Sequence, residues 1–172
     1  MTENPKKKKR SSLNEALACT EIVRSFNNTG HYAYKIPDPR FGAGVAGHRK
    51  RPFDIFAIIE EKGLAIEVKY HKKWQKFSPS QIKPHQAIAL DRITDQGGYA
   101  FLFLNIRIPE HKENRLIIFD WVKWSQVLTK TGLSRHRLAE LPYCQGAKGL
   151  FNLDTFIQGV RNNVHITSGL HR

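Results

Sequence analysis

Three charged side chains, Asp54, Glu67 and Lys69, interrupt the otherwise apolar runs of residues 52–70, PFDIFAIIEEKGLAIEVKY. A carboxylate or an ammonium inside an apolar strand is costly unless it is paired or bound to a metal, so these residue types need a chemical reason for being there. Two carboxylates can hold Mg²⁺, and a lysine beside them can position an attacking water or help to deprotonate it.

The elements that must position them are legible in the same stretch. Apolar runs at 53–59 and 64–68 are split by Glu60-Glu61-Lys62-Gly63, which predicts a β-hairpin with Gly63 supplying the awkward backbone angle. Strand side chains alternate between faces, so Glu67 and Lys69 project to one side while Leu64, Ile66 and Val68 project to the other. One face packs, and the other presents an acid beside an amine.

An acid closing one strand and an acid-x-lysine on the next, here Asp54 and Glu67-Val68-Lys69, resembles the PD-(D/E)xK nuclease core. More specific are Phe77-Ser78-Pro79, then Ile82-Lys83-Pro84-His85-Gln86, then Gln96-Gly97-Gly98-Tyr99-Ala100-Phe101. Together these motifs resemble the RecU-type Holliday junction resolvases, with the archaeal-type, Hjc-like resolvases as more distant relatives, over residues 11–124. The resemblance implies an α/β, restriction-endonuclease-like core with a central mixed β-sheet flanked by helices. It also implies a Mg²⁺-dependent endonuclease, with Mn²⁺ as substitute, that nicks four-way junctions symmetrically as a homodimer. In that setting Asp54 and Glu67 would be catalytic metal ligands, helped by Glu15 and the Val68 main-chain carbonyl. Lys69 would orient water or stabilise the phosphate, and Gln86 would lie against the active site. A literal base role for Lys69 would need a strong downward shift from the usual lysine pKa of about 10.4.

The whole chain sets the bounds. At 172 residues and 40% hydrophobic composition it is long enough for one compact domain, expected over 11–172 behind a disordered basic tail at 1–10. Twenty-eight Lys plus Arg against fifteen Asp plus Glu give a formal charge of +13, which favours polyanions. No apolar stretch has the roughly 18–20 residues that span a bilayer, so no membrane partner is expected. The expected setting is the cytoplasm, nucleoid-associated, or the host cytoplasm if the source is viral. Cys19 and Cys144 are too few and too separated for a disulfide scaffold or a zinc knuckle.

Lys6 to Arg10 form a run that is either a solvated tail or a DNA-gripping arm. Residues 11–28 predict a helix, and Ser12-Leu13-Asn14-Glu15 has the spacing of a capping box, in which Glu15 would only hold the first turn. The resemblance instead places a metal-site acid on this helix, at Glu15 with Glu21 as the fallback. After a short strand at 31–36, residues 37–51 predict a loop whose Arg40, His48, Arg49, Lys50 and Arg51 could contact phosphates. Lys72, Lys73 and Lys76 surround Trp74, a segment that can pair DNA phosphates through its lysines, while Trp74 either stacks on an exposed base or packs against the core. A capping box at 78–81 and Pro84 predict helix starts, Gly97-Gly98 a stop, then strands at 99–106 and 116–120 and a helix at 121–130. Beyond Gly132 the pattern loosens to a weak helix at 153–160. A restriction-like or repair endonuclease on duplex DNA, and a non-catalytic DNA-binding recombination accessory, remain alternatives to the resolvase.

Overall fold

The computed structural model describes residues 5–37 and 51–162, with side chains from Asn14 onward. In chain order the elements are α1 (Pro5–Asn28), β1 (Tyr32–Lys35), β2 (Ile55–Ile59), β3 (Lys62–His71), α2 (Pro84–Asp95), β4 (Tyr99–Ile108) and β5 (Glu113–Asp120). They continue with α3 (Trp121–Gln126), α4 (Arg135–Glu140), β6 (Cys144–Ala147), β7 (Leu150–Phe151) and α5 (Asp154–Arg161). Among the described residues seven strands form one sheet in sequence order, with β3 and β4 parallel and the other neighbours antiparallel. The α/β class with a central mixed sheet flanked by helices is therefore the observed architecture. No helix among the described residues is long and apolar enough to cross a membrane.

The sheet separates two apolar layers. On one side α1 and α5 pack Ile22, Phe26, Phe156 and Val160 against Ile55, Ile66, Val68, Phe101 and Phe103. On the other, Leu90 of α2 and Trp121 of α3 pack with Ala65, Leu102, Leu104 and Phe119. Phe156 meets Phe101 and Phe103 edge-on at centroid distances of 5.1 and 5.4 Å, a favourable aromatic geometry. β4 is buried on both faces, as a strand beside a parallel neighbour and under helices must be, and accordingly reads as an apolar run. Its one fully buried polar residue, Asn105, donates to Asn114 Oδ1 at 2.7 Å and to the Arg115 carbonyl at 3.0 Å.

The β2–β3 hairpin is tighter than expected. Ile59 pairs directly with Lys62, leaving Glu60 and Glu61 as the turn, and the positive φ falls on Glu60 at 56°. Gly63 instead lies in β3 opposite Ile58, where an added Cβ would stand 3.4 Å from the Phe56 ring. Lys62 holds the hairpin to α5 by donating to the Val160 and Arg161 carbonyls at 2.6 and 2.8 Å, where a helix C-terminus attracts a cation.

α1 starts at Pro5 rather than at residue 11, in keeping with proline's preference for a first helical turn and the helix propensity of Lys and Arg. Ser12 therefore lies within the helix, and the capping box at 12–15 is not its start. At 78–81 the predicted helix is only a 3-10 turn, Pro79–Gln81, and the helix proper begins at Pro84.

Candidate active site

The register of the hairpin brings the acids together. Ile55 pairs with Ile66, and the ladder continues through the Asp54 N–H to the Ile66 carbonyl at 3.0 Å, which sets Asp54 across from Glu67. The Ile36 N–H donates to the Asp54 carbonyl at 2.9 Å, so Asp54 is held between two neighbouring segments. Asp54 and Glu67 are both 0% exposed and Lys69 8%, and all stand on the sheet face that α2 packs against. The expected division of β3 holds: Leu64, Ile66 and Val68 join the α1 layer, while Glu67 and Lys69 face the other way.

Each polar atom can be followed to its partner. Asp54 Oδ2 accepts the Val68 N–H at 2.8 Å, and Asp54 Oδ1 forms an ion pair with Arg51. Glu67 Oε1 accepts from Lys69 Nζ at 2.6 Å and from Gln86 Nε2. Glu67 Oε2 is buried with no hydrogen-bond donor, whereas Asp54 Oδ1 is met by the Arg51 guanidinium. A buried carboxylate oxygen without a donor is costly and calls for a missing partner, such as a cation.

α2 delivers Gln86 through its own N-terminus. Gln86 is the third helical residue, and its Oε1 accepts the Lys83 N–H at 3.0 Å, which turns the amide nitrogen down toward Glu67. Gln81 repeats the device one turn earlier: its Oε1 accepts the Ser78 N–H at 2.9 Å while its Nε2 reaches His71 Nε2 at 2.8 Å. Two glutamines, one closing the 3-10 turn and one at the start of α2, thus each hold a polar residue on the same face of β3. The role of Gln81 was not found in the sequence, although its place after Ser78-Pro79 was the available signal. His85, the residue before Gln86, is partly buried at the start of α2.

Of the two acids that the sequence offers on α1, Glu15 is the one that feels the charges of this cluster. Burial raises the Glu15 carboxyl above the ordinary range, and Asp54 adds to the rise while Lys69, Arg51 and Lys83 oppose it. Glu21 lies elsewhere, 6% exposed and paired with Arg107. Burial likewise pushes the Glu67 carboxyl up to about 8, opposed by Lys69 beside it. For Lys69 burial is the largest single influence and lowers the pKa, yet the charges of Glu67, Glu15 and Asp54 together raise it above the ordinary lysine value. The lysine therefore keeps its proton at neutral pH, the opposite of what a literal base would need.

Among the described residues no three His, Cys, Asp or Glu side chains converge closely enough to hold a metal ion by themselves. Mg²⁺ does not need them to, because it keeps several waters and binds through one or two carboxylates plus substrate phosphate. The donor set of Asp54 Oδ1 and Glu67 Oε2, both hard oxygens, fits such an ion. Arg51 now stands where a cation would meet Asp54, so occupancy requires its guanidinium to move.

Of the residues expected at the DNA, Arg40, Arg49 and Lys50, with His48, lie outside the described residues. Arg51 donates to the Ile36 carbonyl at 3.3 Å besides pairing with Asp54, which ties it to the acid site rather than leaving it as an outlying phosphate contact. Lys72 and Lys73 are exposed just after β3. Trp74 is engaged as a packing residue: its Nε1 donates to Glu113 Oε2 at 3.0 Å, and the Arg115 guanidinium lies 5.3 Å from its ring. Cys19 is buried and Cys144 partly buried, both as free thiols.

No protein-family model matches the chain, and no curated protein matches its sequence. Among solved structures the chain is similar to Hjc from Archaeoglobus fulgidus, described as a Holliday junction resolvase from an archaeal hyperthermophile, at 19% identity and a TM-score of 0.35. The match covers 68% of this chain and 96% of that one. A likeness at that score does not carry the neighbour's activity over to this chain.

Proposed function

We propose that this protein is a divalent-metal-dependent DNA endonuclease that nicks four-way (Holliday) junctions. The observation that carries the reading is the buried acid pair, Asp54 opposite Glu67, with Glu67 Oε2 left without a donor and Lys69 and Gln86 fastened to Glu67 Oε1. Its setting in a chain of formal charge +13 suits a polyanionic substrate. Preference for junctions rests on the sequence motifs that resemble RecU-type resolvases. So do the homodimer, whose twofold axis would place two sites for symmetric cuts, and action on the nucleoid in the cytoplasm.

Asp54 and Glu67 would hold Mg²⁺, or Mn²⁺ in its place, with the Val68 carbonyl as a further donor and Glu15 joining through a water of the ion, since the three carboxylates do not converge on one point. When bound, such an ion stabilises charge developing on the phosphate and eases ionisation of a water. Gln86 keeps Glu67 in one rotamer, and its hold is independent of substrate. Lys69, protonated, donates to a phosphate oxygen or to the attacking water and offsets negative charge without taking a proton. Arg51, released from Asp54, is within reach of a phosphate at the same place.

A second reading has an observation of its own. Asp54 and Glu67 each already face a cation, Arg51 and Lys69, which is what a structural ion-pair cluster in a non-catalytic DNA-binding accessory would show. The two readings part on nicking of a labelled four-way junction and a linear duplex of matching arm sequence, with Mg²⁺ or Mn²⁺ and with Glu67→Ala as control. Symmetric nicks confined to the junction and lost in the variant are expected. Equal cutting of both DNAs would replace the resolvase with a duplex endonuclease, and tight binding without any cleavage would establish the accessory.

A further inference from the structure

The sheet face that carries the acids extends beyond them toward the edge strand. Residues directly opposite in an antiparallel ladder share a face. Tyr34 pairs with Phe56 and Phe56 with Ala65, while Tyr32 pairs with Ile58 and Ile58 with Gly63. Asp54 is two residues before Phe56 and Glu67 two after Ala65, so the tyrosines, Phe56 and the acid pair all belong to one side of the sheet. The opposite side of β1 and β2 is sealed by α1 over Ala33 and Ala57. On the acid side α2 packs against β3 and β4, and Tyr32 and Tyr34 are left 60% and 45% exposed beside half-buried Phe56 and Ile58.

The chemistry of this patch and its place together select an occupant. Two exposed phenol rings and a phenyl ring offer π-faces, on which nucleobases stack whatever their sequence. Strand and residue spacings put the Tyr34 Cα about 8 Å from that of Asp54 and about 12 Å from that of Glu67. A nucleotide next to the phosphate held at the acids, or next but one, reaches that far. The chain's surplus of 13 positive charges draws in a polyanion rather than an apolar protein.

The geometry points to Tyr34 and Tyr32 as a stacking platform for unpaired bases flanking the scissile phosphate, an inference that rests on the nuclease reading of the acid site. A base inside an intact duplex has no free face to offer. The platform therefore selects DNA whose strand has left the helix next to the cut, as at a branch point. These tyrosines are specificity residues for that substrate feature.

The test is equilibrium binding of the full chain, by fluorescence anisotropy in EDTA, to a four-way junction, a forked duplex with unpaired ends and a linear duplex. Tyr32→Ala/Tyr34→Ala is expected to weaken binding to the first two by roughly 5- to 150-fold, the span of one base–aromatic stack, with the linear duplex almost unaffected. Tyr32→Phe/Tyr34→Phe keeps the π-faces and should bind as the wild type does. Tyr32→Leu/Tyr34→Leu keeps apolar bulk in the edge strand without a ring and should behave as the alanine pair. Unchanged affinity of the alanine and leucine pairs for all three DNAs overturns the platform. Equal loss on all three, together with a fall from dimer to monomer in sedimentation, also overturns it and assigns the surface to a second copy of the chain. Because binding in EDTA requires no catalysis, ring-dependent binding by a protein that never nicks would support the platform while sinking the nuclease reading.

Discussion

Gln86→Leu separates what Gln86 does for the fold from what it does for the site. The side chain is 7% exposed, donates to Glu67 Oε1, and accepts from the Lys83 N–H at 3.0 Å and from Lys69 Nζ at 3.3 Å. Losing the hydrogen bond to the Glu67 carboxylate costs about 1.5–3 kcal/mol and losing the bond to the Lys83 N–H about 0.5–1.5. The 3.3 Å contact from Lys69, which keeps its 2.6 Å bond to Glu67, is too long to add much. A leucine buried in its place restores about 1.5–3 kcal/mol. The net destabilisation is then about 1 kcal/mol, which lowers the Tm of a chain this long by about 2–4 °C. The variant stays folded at 25 °C, where it can be assayed. Catalysis should suffer much more, because Glu67 Oε1 loses the tether that orients it, and loss of such an outer partner costs about 10- to 100-fold in metal affinity or activity. Junction nicking would be followed across a Mg²⁺ titration, with Mg²⁺ affinity read separately by calorimetry. A variant with the lowered Tm but wild-type nicking rate and unchanged Mg²⁺ dependence would refute the idea that Gln86 positions Glu67.

Three other outcomes are expected. Lys69→Met leaves Glu67 buried without its ion-pair partner and should cost about 3–5 kcal/mol in chemical denaturation at a pH well above 8, and less at neutral pH, where Glu67 can take up a proton instead; a cost under about 1 kcal/mol at the higher pH would mean the pair is solvated. Burial lowers the His71 pKa below 6.5 despite its hydrogen bond with Gln81, so the unfolded chain takes up this proton first. Stability tied to His71 is therefore intact above about pH 6.5 and lost as pH falls through the lower folded value, and His71→Gln should flatten that part of the unfolding free energy against pH. A slope unchanged by His71→Gln would exclude this residue as its source. Glu60 holds φ at 56° in the hairpin turn and makes only a surface pair with Arg161, so Glu60→Gly should stabilise by about 0.5–1 kcal/mol. A lower Tm for that variant would place the strain elsewhere.

Much of the site was legible because it depends on a local period. The alternation of side chains along a strand is set by backbone geometry, so Glu67 and Lys69 could be placed on one face from their spacing, and Asp54 beside them from the hairpin. The C-terminal third was not legible for a related reason. β6, β7 and α4 are four, two and six residues long, too short for a period to stand out, and β6 joins the sheet through a ladder with Leu116 and Arg115 distant in sequence. The turn residue was misread because Gly63 is the common supplier of positive φ, whereas the pairing of Ile59 with Lys62 moves that conformation to Glu60.

The sequence by itself determined the hairpin, the acid and lysine on one strand face, the α/β class and the basic surplus, all consequences of local periodicity or of composition. Only the tertiary structure decided that Glu15 rather than Glu21 shares the field of Lys69 and Asp54, and that Arg51 sits on Asp54. It alone decided that Trp74 packs beneath Arg115 and that two tyrosines continue the acid face to the sheet edge. Those facts depend on how helices dock on the sheet and how strands far apart in sequence come into register. Burial and Coulomb interactions act through space, and residue spacing along the chain does not encode that distance.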